Sequence, residues 1–182
     1  MASRYDDEFW ELVPDEPGPP PPPLGEFVRG LGPARRALDL GCGDGRMSAL
    51  LDVESLTAAD VSPVALERAR RRLPGARVVE LSPDAPLPLE DGAFDLVLCA
   101  ETIEHVRDVQ LLLSEIRRVL SPGGRLALTT PASGPLIRPP DPLSPHLRAF
   151  TRRSLRRLLG ELGFELVSLR RRSGTLLAVA TR

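Results

Sequence analysis

The chain has 182 residues, a formal net charge of −1 and 42 % hydrophobic residues, a composition that suits one soluble domain with a single sizeable core. No apolar stretch approaches bilayer length, and residues 1–10 are acidic without the apolar run of a secretory signal, so no membrane partner and a cytoplasmic location are expected. The two cysteines, Cys42 and Cys99, are too few for a disulfide framework; each falls at the end of a predicted strand, either as close neighbours or as separately buried small hydrophobes.

Charge is distributed unevenly. Residues 1–23 hold six acids against Arg4, whereas residues 151–182 hold eight arginines against Glu161 and Glu165. The basic end reads either as a surface for an anionic substrate, nucleic acid or carrier protein, or as the solvated face of an amphipathic helix carrying Arg152, Arg153, Arg156 and Arg157. All 24 basic residues are arginine, so their number reflects composition and is not itself a sign of phosphate recognition.

In chain order, residues 1–23 form an acidic, proline-rich N-terminal segment and residues 24–182 the body. Residues 14–23 contain seven prolines, five of them consecutive, which favours an extended polyproline spacer. Ahead of it, Tyr5, Phe9, Trp10, Leu12 and Val13 place scarce aromatic and apolar side chains in an acidic stretch. That stretch is expected either to fold over the active site as a lid that helps shape the pocket, or to anchor elsewhere on the body.

From residue 24 onward helices and strands alternate, which predicts an α/β fold built on a mostly parallel sheet. Residues 24–31 read as an entry helix, 37–40 as the first strand, 46–52 as a helix and 56–60 as the second strand. Ser62-Pro63 supplies an N-cap and a first-turn proline for a helix through Leu73. Residues 77–81 and 94–99 give the third and fourth strands. The helical spacing of Val109, Leu112, Leu113, Ile116, Val119 and Leu120 predicts a helix over 108–120, stopped by Ser121-Pro122-Gly123-Gly124. The fifth strand spans 125–130, and a proline-rich loop occupies 131–145. Thr151 caps a helix that Gly163 ends, and residues 164–169 and 175–181 close the chain as a hairpin.

The most informative segment is Asp39-Leu40-Gly41-Cys42-Gly43-Asp44-Gly45, three alternate glycines directly after an apolar strand. Glycines there allow positive φ and close approach of a ligand to bare backbone. The G-x-G-x-G spacing differs from the dinucleotide fingerprint G-x-G-x-x-G, and Asp39 would repel a phosphate while suiting an amine or sulfonium. About 20 residues later the second strand ends in Asp60, followed by Val61, an acid able to accept both hydroxyls of a ribose.

With Leu87-Pro88-Leu89-Glu90-Asp91-Gly92-Ala93-Phe94-Asp95 and Ser121-Pro122-Gly123-Gly124 in the same order, the chain resembles the class I S-adenosylmethionine-dependent methyltransferases from about residue 34 onward. The resemblance implies a Rossmann-like doubly wound sheet of seven strands in the order 3-2-1-4-5-7-6, with strand 7 antiparallel. It implies S-adenosylmethionine as cofactor, with Gly41, Cys42 and Gly43 lining its methionine and ribose portion, Asp39 orienting its amino end, Asp60 clasping the ribose and Val61 against the adenine. Asp84 and Ala85 match the family's adenine-edge element, one residue closer than usual to Leu87-Pro88. The structural alternative for Asp84 is a turn-forming acid in Ser82-Pro83-Asp84.

Chemistry is expected just past the fourth strand, in Glu101-Thr102-Ile103-Glu104-His105. If helical, Glu101, Glu104 and His105 share one face and can converge on an ion. Similar E-x-x-E-H elements bind a divalent metal in ubiquinone-pathway O-methyltransferases and in small-RNA 3′-terminal 2′-O-methyltransferases. In the latter a further histidine from the loop after strand five joins them, and His146 stands in the comparable place. Mg²⁺ suits a carboxylate-dominated site, Mn²⁺ or Zn²⁺ one with both imidazoles. The bland alternative makes Glu104-His105 a structural or substrate-orienting pair. His105 is the expected general base, because its ordinary pKa is close to neutral, and Glu101 its orienting partner.

Three function classes follow from this: an O-methyltransferase of a small hydroxylated molecule, a metal-dependent RNA 3′-terminal 2′-O-methyltransferase, and a non-catalytic S-adenosylmethionine-binding partner subunit. Beyond residue 100 the chain offers only Phe150 and Phe164 to stack bases, which favours the small-molecule acceptor over RNA. The acceptor and the oligomeric state are not encoded in any motif.

Overall fold

Successive residues of a central strand face opposite sides of the sheet, so a strand apolar throughout is buried on both. Phe94–Ala100 behaves in this way: Leu96 and Leu98 join one hydrophobic cluster with Val28 and Leu31, while Val97 and Cys99 join another with Leu113, Ile116, Leu155 and Leu159. The computed structural model describes residues 4–15, 18–133 and 146–182, without the side chains of residues 4–7.

Among the described residues the strands are β1 (Ala34–Leu40), β2 (Val53–Asp60), β3 (Arg77–Glu80), β4 (Phe94–Ala100), β5 (Leu120–Pro131), β6 (Glu165–Arg172) and β7 (Thr175–Thr181). They form one sheet in the order β3-β2-β1-β4-β5-β7-β6, with β7 antiparallel to β5 and β6, as the resemblance implies. The helices are α1 (Arg4–Leu12), α2 (Pro22–Arg29), α3 (Pro63–Arg72), α4 (Val109–Val119) and α5 (Arg152–Glu161). The caps of α3 and α5 match the sequence signals, the side chains of Ser62 and Thr151 accepting from the backbone N–H groups of Ala65 and Ser154; Asp108, read as the first residue of its helix, instead caps α4 through the Leu111 N–H.

Three local expectations change. Residues 46–52 hold a single 3₁₀ turn, Ser48–Leu50, because β2 begins at Val53, three residues earlier than expected, and the Ser48 hydroxyl is bonded to Asp39. Ser121-Pro122-Gly123-Gly124 lies inside β5 as an irregularity, with Phe94 opposite Leu120 and Leu96 already opposite Arg125. The polyproline run ends early, since Pro22 and Pro23 enter the first turn of α2, where a missing N–H costs nothing. Helix α1 had no sequence prediction. Most of the expected loop 131–145 lies outside the described residues.

The two thiols are not neighbours in the core. Cys42 packs in the cluster of Ala58, Leu66, Ala69 and Leu73 beside α3, and Cys99 in the cluster around α4 and α5; both are free and buried. The sheet rims are the four-residue β3 and the arginine-ending β6, whose Arg170, Arg171 and Arg172 are all exposed. Among the described residues no helix is long and apolar enough to cross a membrane.

Candidate active site

Strand order reverses between β1 and β4, and ligands of open α/β sheets bind beyond the carboxyl ends of the strands at such a point. The glycine turn leaves β1 there. Gly41 has φ +78° and Gly43 φ +54°, values at which an L side chain is strained. Space excludes one as well: a Cβ on Gly41 would lie 2.3 Å from Thr102 Oγ1, and one on Gly43 2.4 Å from Trp10 Cζ2.

Asp60 ties this turn to β2. Its Oδ2 accepts from the Gly43 N–H at 2.8 Å and its Oδ1 from the Ser62 N–H at 3.0 Å. A carboxylate oxygen can accept more than one hydrogen bond, the property on which a ligand diol would draw. Val61 follows, half-buried. The Leu81 N–H donates to the Asp60 carbonyl, so the loop carrying Asp84 and Ala85 starts beside the same acid. Asp84 itself is exposed at φ +55° and lines a cavity of about 450 Å³ with Arg107, Asp108 and Arg148; Ala85 is half-buried.

Asp39 is 1 % exposed at the end of β1, where Ser48 Oγ donates to its Oδ2. Burial pushes its pKa up to about 7, against the lowering effect of the Ser48 bond and with help from the negative charge of Asp60. The same burial, with Asp39 and Asp60 nearby, drives the Cys42 thiol far upward, so Cys42 serves as packing under the turn and not as a nucleophile. Two contacts that sequence reasoning missed complete the turn. Thr102 Oγ1 donates to the Leu40 and Ala100 carbonyls, pinning the loop after β4 onto Gly41, and Arg72 of α3 donates to the carbonyl and carboxylate of the buried Asp44.

Residues 101–105 form a turn and not a helix, so the three expected ligands do not share a helical face. Glu101 sits at φ +52°, its N–H donating to the Thr129 carbonyl and its Oε1 accepting from the Thr129 hydroxyl. It stands outside the group that does assemble: ligand atoms of Glu104, His105 and His146 lie within 4.8 Å of one another. The Leu147 N–H donates to the Glu104 carbonyl and thereby brings His146 to His105, ring centroids 4.9 Å apart. Glu104 is 1 % exposed; Oε2 accepts from the Thr130 hydroxyl, while Oε1 has no hydrogen-bond partner and lies 3.9 Å from His105 Nε2. Burial pushes Glu104 up to about 7, with the charge of Glu101 acting in the same direction.

The sequence profile of the methyltransferase domain family matches residues 38–128, half of the chain, from the middle of β1 through most of β5. The chain belongs to that methyltransferase domain family. Its fold is that of the class I S-adenosylmethionine-dependent methyltransferases. Over 117 residues it is 39 % identical to the 27-O-demethylrifamycin SV methyltransferase of Amycolatopsis mediterranei (strain S699), covering 58 % of this chain and 43 % of that protein. The chain spans about half the length, or less, of the curated relatives it matches.

Among solved structures, a SAM-dependent methyltransferase from Aquifex aeolicus superposes with TM-score 0.71 at 18 % identity, covering 87 % of this chain and 88 % of its own. The (4+2)-cyclase SpnF superposes with TM-score 0.72 at 19 % identity, covering 97 % of this chain and 81 % of its own. At such identities the likeness speaks for the fold alone, and a cyclase on this fold shows that the reaction must be argued from the site.

Proposed function

We propose that this methyltransferase moves the sulfonium methyl of S-adenosylmethionine onto a hydroxyl of a small molecule. The observation that carries the reading is the turn itself: side-chain-free backbone at Gly41 and Gly43, tied through the Gly43 N–H to the acid Asp60 that ends β2. In this reading Asp60 accepts from the ribose hydroxyls, Val61 packs on the adenine, Asp84 and Ala85 border its edge, and Asp39 faces the amino end. The cofactor, when bound, supplies a methyl group that is already activated, so the protein's task is alignment and exclusion of water.

His105 takes the acceptor's proton. Its side chain is 35 % exposed and so reachable, with Glu104 behind it at 3.9 Å to stabilise the imidazolium. Glu101, expected as the orienting partner, is held by Thr129, and Glu104 takes that role in this reading. Calorimetry with S-adenosylhomocysteine tests the donor site, and methyl transfer to a panel of phenols and catechols tests the acceptor class. Uptake of the ligand with no transfer to any hydroxyl would instead leave a cofactor-binding partner subunit.

A second reading adds a divalent metal at Glu104, His105 and His146. The unpartnered, buried Oε1 of Glu104 facing two imidazoles favours it, since a buried carboxylate oxygen without a partner is costly. One carboxylate and two imidazoles suit Mn²⁺ or Zn²⁺ better than Mg²⁺. The ion would hold the acceptor oxygen and lower its pKa. Manganese titration followed by paramagnetic resonance checks this independently of turnover: a bound signal abolished by His146→Ala supports it, and free ion throughout removes it. If manganese binds, RNA 3′ ends join the acceptor panel.

A further inference from the structure

Helix α1 lies outside the family match, yet it ends on the most informative segment of the chain. The benzo edge of Trp10 packs directly on Gly43: a Cβ there would lie 2.4 Å from Cζ2 and 2.6 Å from Cη2. Gly43 is itself buried, and its N–H is the one bound by Asp60. No ligand can touch that face of Gly43 while the indole rests on it.

An anchor for the segment comes from α3. Arg68, whose side chain is 11 % exposed, donates from Nη1 to the Val13 carbonyl at 2.8 Å and pairs through Nε with Asp15 at 3.2 Å, with Arg71 also 3.7 Å from Asp15. The planar guanidinium satisfies a helix-end carbonyl and a carboxylate at once, which a lysine would not reproduce. Four residues on, one helical turn away, Arg72 grips the carbonyl and carboxylate of Asp44 in the glycine turn. One helix therefore carries both the clamp on the turn and the clamp on the segment covering it.

We propose that α1 is a gate on the donor cradle, with Trp10 as its closing contact and Arg68 with Asp15 as its latch. This rests on the reading of the Gly41 to Gly45 turn as the donor site. Exchange of donor and spent product requires the latch to open, so the closed fraction lowers the rates of both entry and release. The latch also explains why an acidic, proline-flanked segment spends an aromatic pair on α1: Phe9 meets Trp10 edge-to-face at 5.6 Å and backs the indole from outside.

Trp10 is the only tryptophan in the chain, so its emission reports the gate directly. The full chain is compared with Arg68→Gln and with Asp15→Asn, the latter at an exposed carboxylate that does not endanger folding. Without ligand, both variants are expected to increase acrylamide quenching of Trp10. With S-adenosylhomocysteine, stopped-flow emission should show association and dissociation each accelerated several-fold in both variants, with a smaller change in affinity. Calorimetric uptake of S-adenosylhomocysteine with unaltered Trp10 emission, quenching and exchange rates in both variants would overturn the gate and leave the donor site standing. No calorimetric uptake by the parent chain would overturn the donor reading and the gate together.

Discussion

The backbone N–H of Gly43 donates to Asp60 Oδ2 at 2.8 Å, which makes the turn after β1 and the acid ending β2 one unit before any ligand arrives. Asp60 thus does two jobs with one carboxylate. It fixes the backbone of the cradle, and in the proposed reading it also receives the ligand diol.

Asp60→Ala is therefore expected to lose more than ligand contacts. Two buried N–H groups, of Gly43 and Ser62, lose their acceptor, at about 1–3 kcal/mol for each one left unsatisfied. Thermal unfolding should shift down by several degrees, and S-adenosylhomocysteine affinity should fall by at least about tenfold. Asp60→Asn keeps one carbonyl oxygen and should fall between. Calorimetry showing parental affinity in Asp60→Ala would remove the diol role.

Gly41→Ala should destabilise for two separable reasons: φ +78° costs an L residue about 1–2 kcal/mol, and the new Cβ meets Thr102 Oγ1 at 2.3 Å. Adding Thr102→Ala relieves the clash but not the backbone strain. Denaturant unfolding of the double variant is expected to recover part of the loss and never all of it.

The pH dependence of stability has a defined sign. Folded Glu104 holds its proton up to about 7, whereas the unfolded chain releases it near 4.5, and Asp39 likewise goes from 3.8 to about 7. Between these values the folded state binds more protons, so stability is greatest below the window and declines as pH rises through it. Glu104→Gln should flatten the decline and stabilise the protein at neutral pH. Unfolding curves with the same slope in Glu104→Gln and Asp39→Asn would contradict the burial argument.

Arg118 gathers the loop after Asp84. Its guanidinium donates to the Leu87 and Leu89 carbonyls, to Glu115 and to Asp91, and Glu115 in turn accepts from the Leu87 N–H. Arg118→Lys supplies one point charge in place of this fork and is expected to destabilise by roughly 1–3 kcal/mol, with raised amide exchange in residues 84–91. Unchanged exchange there would mean that the loop is held by its leucines alone.

The strands were readable because long apolar runs and glycine punctuation are local signals. Ala37 to Leu40 and Phe94 to Cys99 announce themselves, and the order of the sheet followed from the resemblance those segments carry. Helix α1 was not readable: RYDDEFWEL is half charged, and it is held by contacts of Trp10 and Arg68 with partners tens of residues away. Thr102 and Ser48 escaped for the same reason, since nothing near either one signals that its partner is Leu40 or Asp39. Glu101 misled, because its spacing suits a helix while its backbone adopts φ +52°, a conformation sequence rarely betrays outside glycine.

The two rims of the sheet carry a last consequence. An open rim of unpaired backbone groups is a template on which another molecule's strand can add, the first step toward fibrous aggregates. Here one rim, β3, is only four residues long with charged Arg77 and Glu80 at its ends, and the other, β6, finishes in three successive exposed arginines that repel a second copy of themselves. The three guanidinium groups on β6 thereby disfavour edge-to-edge association of a sheet that has no barrel closure.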